Sequence, residues 1–341
     1  MKWEIYGMPF SPHQSSCSNM KPRLFSWEDV QGDVELWIDG EIEVGMETER
    51  RRAKKCAWLC ESRSIVPFFS KLYTTDEEGN FKVDGITPAL QKLINAYDVI
   101  FTCDKELVEL HDKIQFCFAG STLPWIHKEK WDIHYKEGGA VNSFISSNKN
   151  MCKGHQMRHD LYERIKEQCG PPSVVEFKEK YTLSVGDLEN IEPPIHVFGS
   201  ITNTSFGDTK RSFGENEGCH LKDGSDVWHD KSEGLIPYMY SIVLENDKYP
   251  SYFTEKLTDC FVTGTIPIYR GAPDIGDYFD TSGMIIVDSI DDIMNVLKEL
   301  HNKNTGRDYY LTHKHIAMKN FHKVTFLESP DDMLYRKIIT E

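Results

Sequence analysis

Hydrophobic and polar positions along the chain form short apolar runs separated by amphipathic stretches. "DVELWIDGEI", residues 33–42, predicts a strand closed by an Asp-Gly turn. "CAWLC", residues 56–60, follows a basic lead-in and precedes a polar turn and Pro67, which predicts another strand. "YDVIFTCD" has the continuous apolar core of a buried strand. In "KELVELHDKI", Leu107, Leu110 and Ile114 recur at helical spacing, and "QFCFAGSTLPW" predicts a strand running into a loop.

After Gly138–Gly139 the pattern restarts. "NSFISSN" predicts a strand, and "GHQMRHDLYERIKEQCGPP" a helix stopped by Gly170 and two prolines. Residues 199–233 are rich in Gly, Asp, Asn, Ser and Lys and predict mostly loops, with room for a small hairpin. Then follow "MYSIVLEN" (strand), "YFTEKLTDCFVTG" (helix), "TIPIYRG" and "GMIIVDS" (strands), "IDDIMNVLKELHN" (helix) and a final helix, "DDMLYRKIIT". Strands alternating with helices predict α/β layers on parallel sheets. The expected organisation is one α/β domain over 1–138, a second over 139–325 and a C-terminal helix, 326–341, crossing back to the first.

Composition narrows this only a little. The 341 residues carry 39% hydrophobic and 27% charged side chains, as expected of a soluble globular protein. A formal charge of −15 argues against a general nucleic-acid binder, since no cationic excess replaces counterions along a backbone. The start lacks the basic and apolar regions of a secretory signal, and no run reaches the length of a membrane span. Nine cysteines without paired spacing suit reduced thiols, so a cytoplasmic location is expected. Cys56 and Cys60 are close in sequence, but no second pair completes a zinc site.

The candidate chemistry lies in "LENDKYPSYFTEKLTDCFVTGTIPIYRGAP", residues 244–273. Strand, loop, helix and strand in that order put Glu245 and Asn246 at the carboxyl end of a strand, where open α/β sheets bind ligands. A helix starting near Ser251 or Tyr252 would offer free N–H groups to an anion, with Lys256 reaching back to it. Glu255 would suit vicinal hydroxyls of a ribose or sugar. Spacing alone leaves open an ordinary helix–strand unit with a solvent-facing Thr-Glu-Lys triplet.

This stretch resembles the signature of the family 10 glycosyltransferases, which include the α1,3-fucosyltransferases. The family pattern is Phe-Glu-Asn, then Tyr-x-Thr-Glu-Lys, then a strand and turn of the Thr-Ile-Pro-Ile-Tyr-x-Gly-x-Pro kind. Here Leu244 stands in place of the phenylalanine, followed by Glu245-Asn246, Tyr252 to Lys256, and Thr265 to Pro273. A second segment, "FISSNKNMCKGHQMRHDLYERI", is similar to the family's strand and helix that open the nucleotide-binding domain. The resemblance implies a GT-B fold of two Rossmann-like domains facing across a cleft. It also implies GDP-fucose as donor, a glycan acceptor and inverting transfer. Arg158 falls on the arginine that holds the donor phosphates, with Lys256 beside it. Asn246 and Tyr252 fall near the ribose and phosphates, Glu255 on the ribose clamp, and Glu245 is a further candidate contact. Lys231 and Tyr238 are the candidates for reading guanine. Two cations on the departing diphosphate would do the electrostatic work of a metal. The chain has no Asp-x-Asp metal motif, so metal-independent transfer is expected. His155 and His159 are spaced i, i+4 on the Arg158 helix, without a third ligand in view.

Inverting transfer needs a carboxylate to take the acceptor's proton. In the family it follows a short strand of the first domain, in a Gly-Glu-Asn-x-x-Pro-like turn. "AWLCESRSIVPFF" is similar, with Cys-Glu-Ser in place of Gly-Glu-Asn, and implies Glu61 as the base; Glu106 and Asp104 are the fallbacks. Arg63 is either a substrate contact or the partner of Glu61. Two other readings stand beside this one: the same fold with a different nucleotide-sugar, and a non-catalytic glycan- or nucleotide-binding protein. The missing stem and anchor suggest a bacterial or viral enzyme acting on a surface glycan such as lipopolysaccharide. Acceptor and oligomeric state are left open.

Overall fold

A computed structural model describes residues 1–10, 20–133, 136, 140–169, 195–199, 201, 212–213, 220–222, 228–301 and 303–340. Chain order in the first half gives β1 (Glu4–Tyr6), β2 (Val34–Ile38), α1 (Ile42–Glu47), β3 (Lys54–Leu59) and the two-residue strands β4 (Thr74–Thr75) and β5 (Phe81–Lys82). Then come α2 (Pro88–Ala96), β6 (Val99–Thr102), α3 (Lys105–Val108) and β7 (Ile114–Phe116). Five strands form a parallel sheet in the order β1-β2-β3-β6-β7. Helices cover it because β2 and β6 are buried along their whole length, the mark of a parallel sheet packed on both faces. Helix α2 begins where Thr87 accepts a hydrogen bond from the Leu90 N–H and Pro88 occupies the first turn.

The second half contains β8 (Ala140–Ile145), α4 (Lys153–Cys169), β9 (Ile195–Phe198), β10 (Ser212–Phe213), β11 (His220–Lys222), β12 (Trp228–Asp230) and β13 (Tyr238–Leu244). It continues with α5 (Glu255–Val262), β14 (Ile266–Arg270), β15 (Ile285–Ile286), α6 (Ile290–His301), α7 (Lys303–Thr325) and α8 (Pro330–Thr340). Its parallel sheet runs β15-β14-β13-β8-β9. Each half is thus a Rossmann-like α/β unit built on a five-stranded parallel sheet, as the two-domain α/β expectation requires.

Strand order matters for function. From β8 the chain moves outward to β9, then returns to the other side of β8 as β13. That reversal leaves a crevice at the carboxyl ends of β8 and β13, where doubly wound sheets take their ligands.

The structure differs from the pattern reading in several places. Ile114 belongs to β7, paired with Ile100, because α3 ends at Val108 and the chain turns at Glu109–Leu110. Both Leu107 and Ile114 still enter the same core, so the helical spacing reports a shared face reached by two elements. Segments 42–47, 88–96 and 303–325 are helices that the hydrophobic pattern passes over. In the loop-rich region, β10, β11 and β12 form a three-stranded antiparallel sheet. The boundary at Gly138–Gly139 and the helix stop at Gly170 lie outside the described residues.

Helix α8 lies on the first sheet's side of the molecule. Asp332 accepts from the Arg23 N–H at 2.9 Å, Asp331 from the Trp27 indole at 2.7 Å, and the Ile338 carbonyl from Lys54 at 3.1 Å. Among the described residues, no helix is long and apolar enough to cross a membrane.

Candidate active site

The site is built at the crevice between β8 and β13. Arg158, on α4, is 4% exposed and points at the end of β13. Its Nε donates to the Leu244 carbonyl at 3.1 Å, and its Nη2 donates to the same carbonyl and to Asn246 Oδ1, the latter at 2.8 Å. Burial lowers the Arg158 pKa, while Glu245 opposes that shift. The first turn of α4 comes very close to the same backbone. The Gly154 N–H donates to the Asn246 carbonyl at 3.1 Å, and a Cβ at position 154 would lie 2.3 Å from the Glu245 carbonyl oxygen.

Glu245 is fully buried and serves as a brace. Its two carboxylate oxygens accept from the N–H and the hydroxyl of Thr254, each at 2.8 Å. Thr254 is the N-cap of α5, so the signature loop is tied to the strand it leaves. Burial raises the Glu245 pKa, and Lys256 opposes it. The Gly-Ala-Pro turn completes the cradle. A Cβ on Gly271 would meet Tyr269 Oη at 2.2 Å and Glu245 Cγ at 2.7 Å, while Tyr269 Oη accepts from the Ala272 N–H at 2.9 Å. Gly271→Ala is therefore expected to lower stability by about 1–3 kcal/mol through overpacking. An unchanged thermal midpoint would contradict this packing.

Helix α5 begins at Glu255, later than the expected Ser251 or Tyr252. Ser251 adopts φ +67°, a left-handed conformation that cannot start a helix. Asp274 holds it there, accepting from its N–H at 2.6 Å and its hydroxyl at 2.9 Å. The helix end also lacks the open N–H groups expected for an anion. Glu255 N–H donates to the Ser121 carbonyl at 2.6 Å, Lys256 N–H to Thr254 Oγ1 at 3.4 Å, and Leu257 N–H to the Thr254 carbonyl at 3.1 Å. Any anion here would be met by side-chain cations.

Lys256 is the main one. Its ammonium lies 3.1 Å from Thr254 Oγ1, 3.5 Å from Glu255 and 3.7 Å from Glu245, and its side chain keeps 27% exposure. Glu255 is buried; burial pushes its carboxyl up, but Lys256 and Lys231 hold it below the ordinary value. Tyr252 stacks on Tyr249, ring centroids 4.9 Å apart, and is buried in a cluster with Cys103 and Ala119.

The candidate guanine readers are both buried. Lys231 is buried, with its ammonium 2.5 Å from Asp259 and 3.7 Å from Glu255. Tyr238 is wholly buried at the start of β13, edge-on to Phe198.

Glu61 comes from the first domain, just beyond β3, and is partly exposed. Burial raises its pKa; Lys256 and Lys149 pull it down, and Glu255 pushes it up. Of the two expected donor cations, Lys256 is among the charges that act on Glu61. Its N–H donates at 3.2 Å to Asp39, whose carboxyl also accepts from the Cys60 N–H at 2.7 Å. Burial, and then the Glu61 charge, push the Asp39 carboxyl to about 8. Asp39 is itself left-handed, at φ +48°, where only a short polar side chain or Gly sits readily. The sequence showed the turn at Asp39 but not its contact with Glu61, because nothing local connects residues 39 and 61.

Arg63 is not the partner of Glu61. Its guanidinium grips Asp104 in a two-pronged pair at 2.7 and 2.8 Å and reaches Glu106 at 2.5 Å. That removes Arg63 as a free substrate contact and ties up Asp104 and Glu106, the fallback bases, in an ion-pair cluster. His155 is buried; burial first, then Arg158, Lys149 and Lys256, lower its pKa to about 3, so the ring is neutral. His155 Nδ1 accepts from the Met151 N–H, and His159 Nε2 contacts the Lys149 carbonyl, both at 3.1 Å. Cys56 and Cys60 are buried. Among the described residues, no group of three or more His, Cys, Asp or Glu is placed to hold a metal ion.

Comparison with known proteins gives local and partial likenesses. No family model matches the chain. A Helicobacter pylori α-(1,3)-fucosyltransferase is 32% identical over 85 residues, 24% of this chain and 17% of the relative. A putative fucosyltransferase-like protein of Arabidopsis thaliana is 31% identical over 84 residues, 24% of this chain and 16% of the relative. The matched segment therefore spans about a sixth of each relative's length. Among solved structures, an α1,3-fucosyltransferase with GDP-fucose aligns over 94% of this chain and 80% of its own, at 16% identity and a TM-score of 0.46. TarM of S. aureus aligns over 89% of this chain and 54% of its own, at 11% identity and a TM-score of 0.44. Likenesses this distant say nothing about chemistry.

Proposed function

We propose that this chain is an inverting glycosyltransferase that moves fucose from GDP-fucose to a hydroxyl of a glycan. One observation carries the reading: the loop of Glu61 is hydrogen-bonded through Ser64 to Asp247, which directly follows Asn246 in the second half of the chain, and the Lys256 charge acts on Glu61 accordingly. A base and a diphosphate cation supplied by the two halves of the chain would suit attack on a sugar carbon from the face opposite its leaving group. The local identity to an α-(1,3)-fucosyltransferase supports fucose as the sugar.

In this mechanism Glu61 takes the acceptor proton as the acceptor oxygen bonds to the sugar carbon and the carbon–oxygen bond to the diphosphate breaks. Lys256 neutralises the charge that grows on the diphosphate, and Arg158 adds a second positive charge from beneath while holding Asn246 in place. Glu255, with Asn246 and the Tyr252 hydroxyl, would face the ribose side. Lys256 lies 3.5 Å from Glu255 and 3.7 Å from Glu245, so donor phosphate would compete with two carboxylates for one ammonium.

Lys231 is paired with Asp259, and Tyr238 packs edge-on to Phe198. That favours a second reading with the same chemistry and another nucleotide-sugar. Calorimetric titration with GDP, UDP and CDP in the presence of EDTA separates the two. The proposal expects GDP to bind selectively with EDTA present. Selective UDP binding would keep the transfer and change the donor, and loss of GDP binding in EDTA would overturn metal independence.

A further inference from the structure

We propose that Asp247 is a positioning residue for the base: through Ser64 it fastens the loop carrying Glu61 to the donor-side loop of the second domain. The inference rests on the glycosyl-transfer reading above. Asp247 Oδ2 accepts two hydrogen bonds from Ser64, from the N–H at 3.1 Å and from the hydroxyl at 2.6 Å. Ser64 lies three residues after Glu61, and Asp247 directly follows Asn246, whose side chain is held by Arg158. One carboxylate oxygen thus joins the base loop to the segment that would contact the donor.

Arg63, next to Ser64 in the same loop, stiffens the link. Arg63 is 4% exposed and bound to Asp104 within its own domain. Its guanidinium also lies between two rings, 4.7 Å from Tyr73 of the first domain and 4.2 Å from Tyr249 of the second. Such stacking is worth about 0.5–2 kcal/mol when the cation is desolvated. Arg63 therefore anchors the loop at the junction, beside the Ser64–Asp247 pair.

Other contacts hold the domains together without this pair. Thr258 Oγ1 donates to the Thr122 carbonyl at 3.0 Å, Asp259 accepts from the Trp125 N–H at 2.8 Å, and Lys153 donates to the Glu78 carbonyl at 2.7 Å. Loss of the Ser64–Asp247 bonds should free the base loop while the domains stay joined. A base displaced by about 1 Å can cost about 10² in rate without any loss of donor affinity.

The test compares Asp247→Ala, Asp247→Asn and Ser64→Ala with wild type, measuring kcat for GDP release from GDP-fucose with a glycan acceptor and the Kd for GDP. The proposal expects kcat of Asp247→Ala to fall by about 10–10² at unchanged Kd. Asp247→Asn, which keeps an acceptor oxygen, should recover most of the rate, and Ser64→Ala should fall between. Ser64→Ala changes little of the fold, so it serves should Asp247→Ala fail to fold. A wild-type kcat in Ser64→Ala and Asp247→Ala would overturn the proposal alone. A parallel loss of kcat and GDP affinity would also overturn it, making Asp247 a donor-site brace. Wild type that turns over no nucleotide-sugar would overturn the transfer reading, and this proposal with it.

Discussion

Glu61→Gln is expected to lower kcat by about 10²–10⁴, the range for removing a general base, while GDP binding stays as in wild type. Gln is close in shape to Glu, so the loop held by Asp39 and Ser64 should keep its course. Only the capacity to take a proton is lost. The pH dependence of wild type carries the same signature. The Glu61 pKa is raised by burial, so its base form should appear at higher pH than for an ordinary glutamate, and kcat should climb through that raised value. Stability runs the other way. Glu61 and Asp39 both have folded pKa values above their unfolded ones. Their contribution is fully present below the unfolded values and is lost as pH rises through the folded ones. For Asp39 that window lies between 3.8 and about 8. Activity that rises while thermal stability falls is therefore expected on the acid side of neutrality. A pH–rate profile unaltered by Glu61→Gln would remove this residue from the reaction.

Lys256→Ala should weaken both GDP binding and turnover. A charge-assisted hydrogen bond contributes about 1.5–3 kcal/mol, which corresponds to about 10–10² in Kd. Loss of a group aimed at developing charge costs about 10²–10³ in kcat. The substitution also leaves Glu245 and Glu255 without the ammonium that sits 3.7 and 3.5 Å from them. Some loss of stability should follow, so Lys256→Arg is the control. Arg keeps the charge and should retain most of the GDP affinity. GDP affinity equal to wild type in Lys256→Ala would show that the diphosphate is held elsewhere.

The strands of both sheets were legible wherever burial on two faces left an unbroken apolar run, as in "CAWLC", "VIFTC" and "YSIVL". The 23-residue α7 was not, because its buried side chains are scattered among many exposed polar ones. The order of residues at the candidate site was legible too, but the division of labour within it was not. Glu245 and Glu255 look alike in sequence; one is spent on Thr254, and the other faces two lysines. Likewise Arg63 sits two residues from Glu61, yet its partner Asp104 comes 41 residues later, supplied by the neighbouring strand's end. Local pattern cannot decide such choices, because they are set by which strand ends the sheet brings side by side.

The most direct test of glycosyl transfer is acceptor-dependent release of GDP from GDP-fucose, followed for wild type and Glu61→Gln with a mixed glycan pool. The account predicts GDP release with the wild type, a matching mass gain of one fucose on a glycan, and near-complete loss of both in Glu61→Gln. Absence of turnover by wild type with GDP-fucose and every other nucleotide-sugar supplied would contradict it.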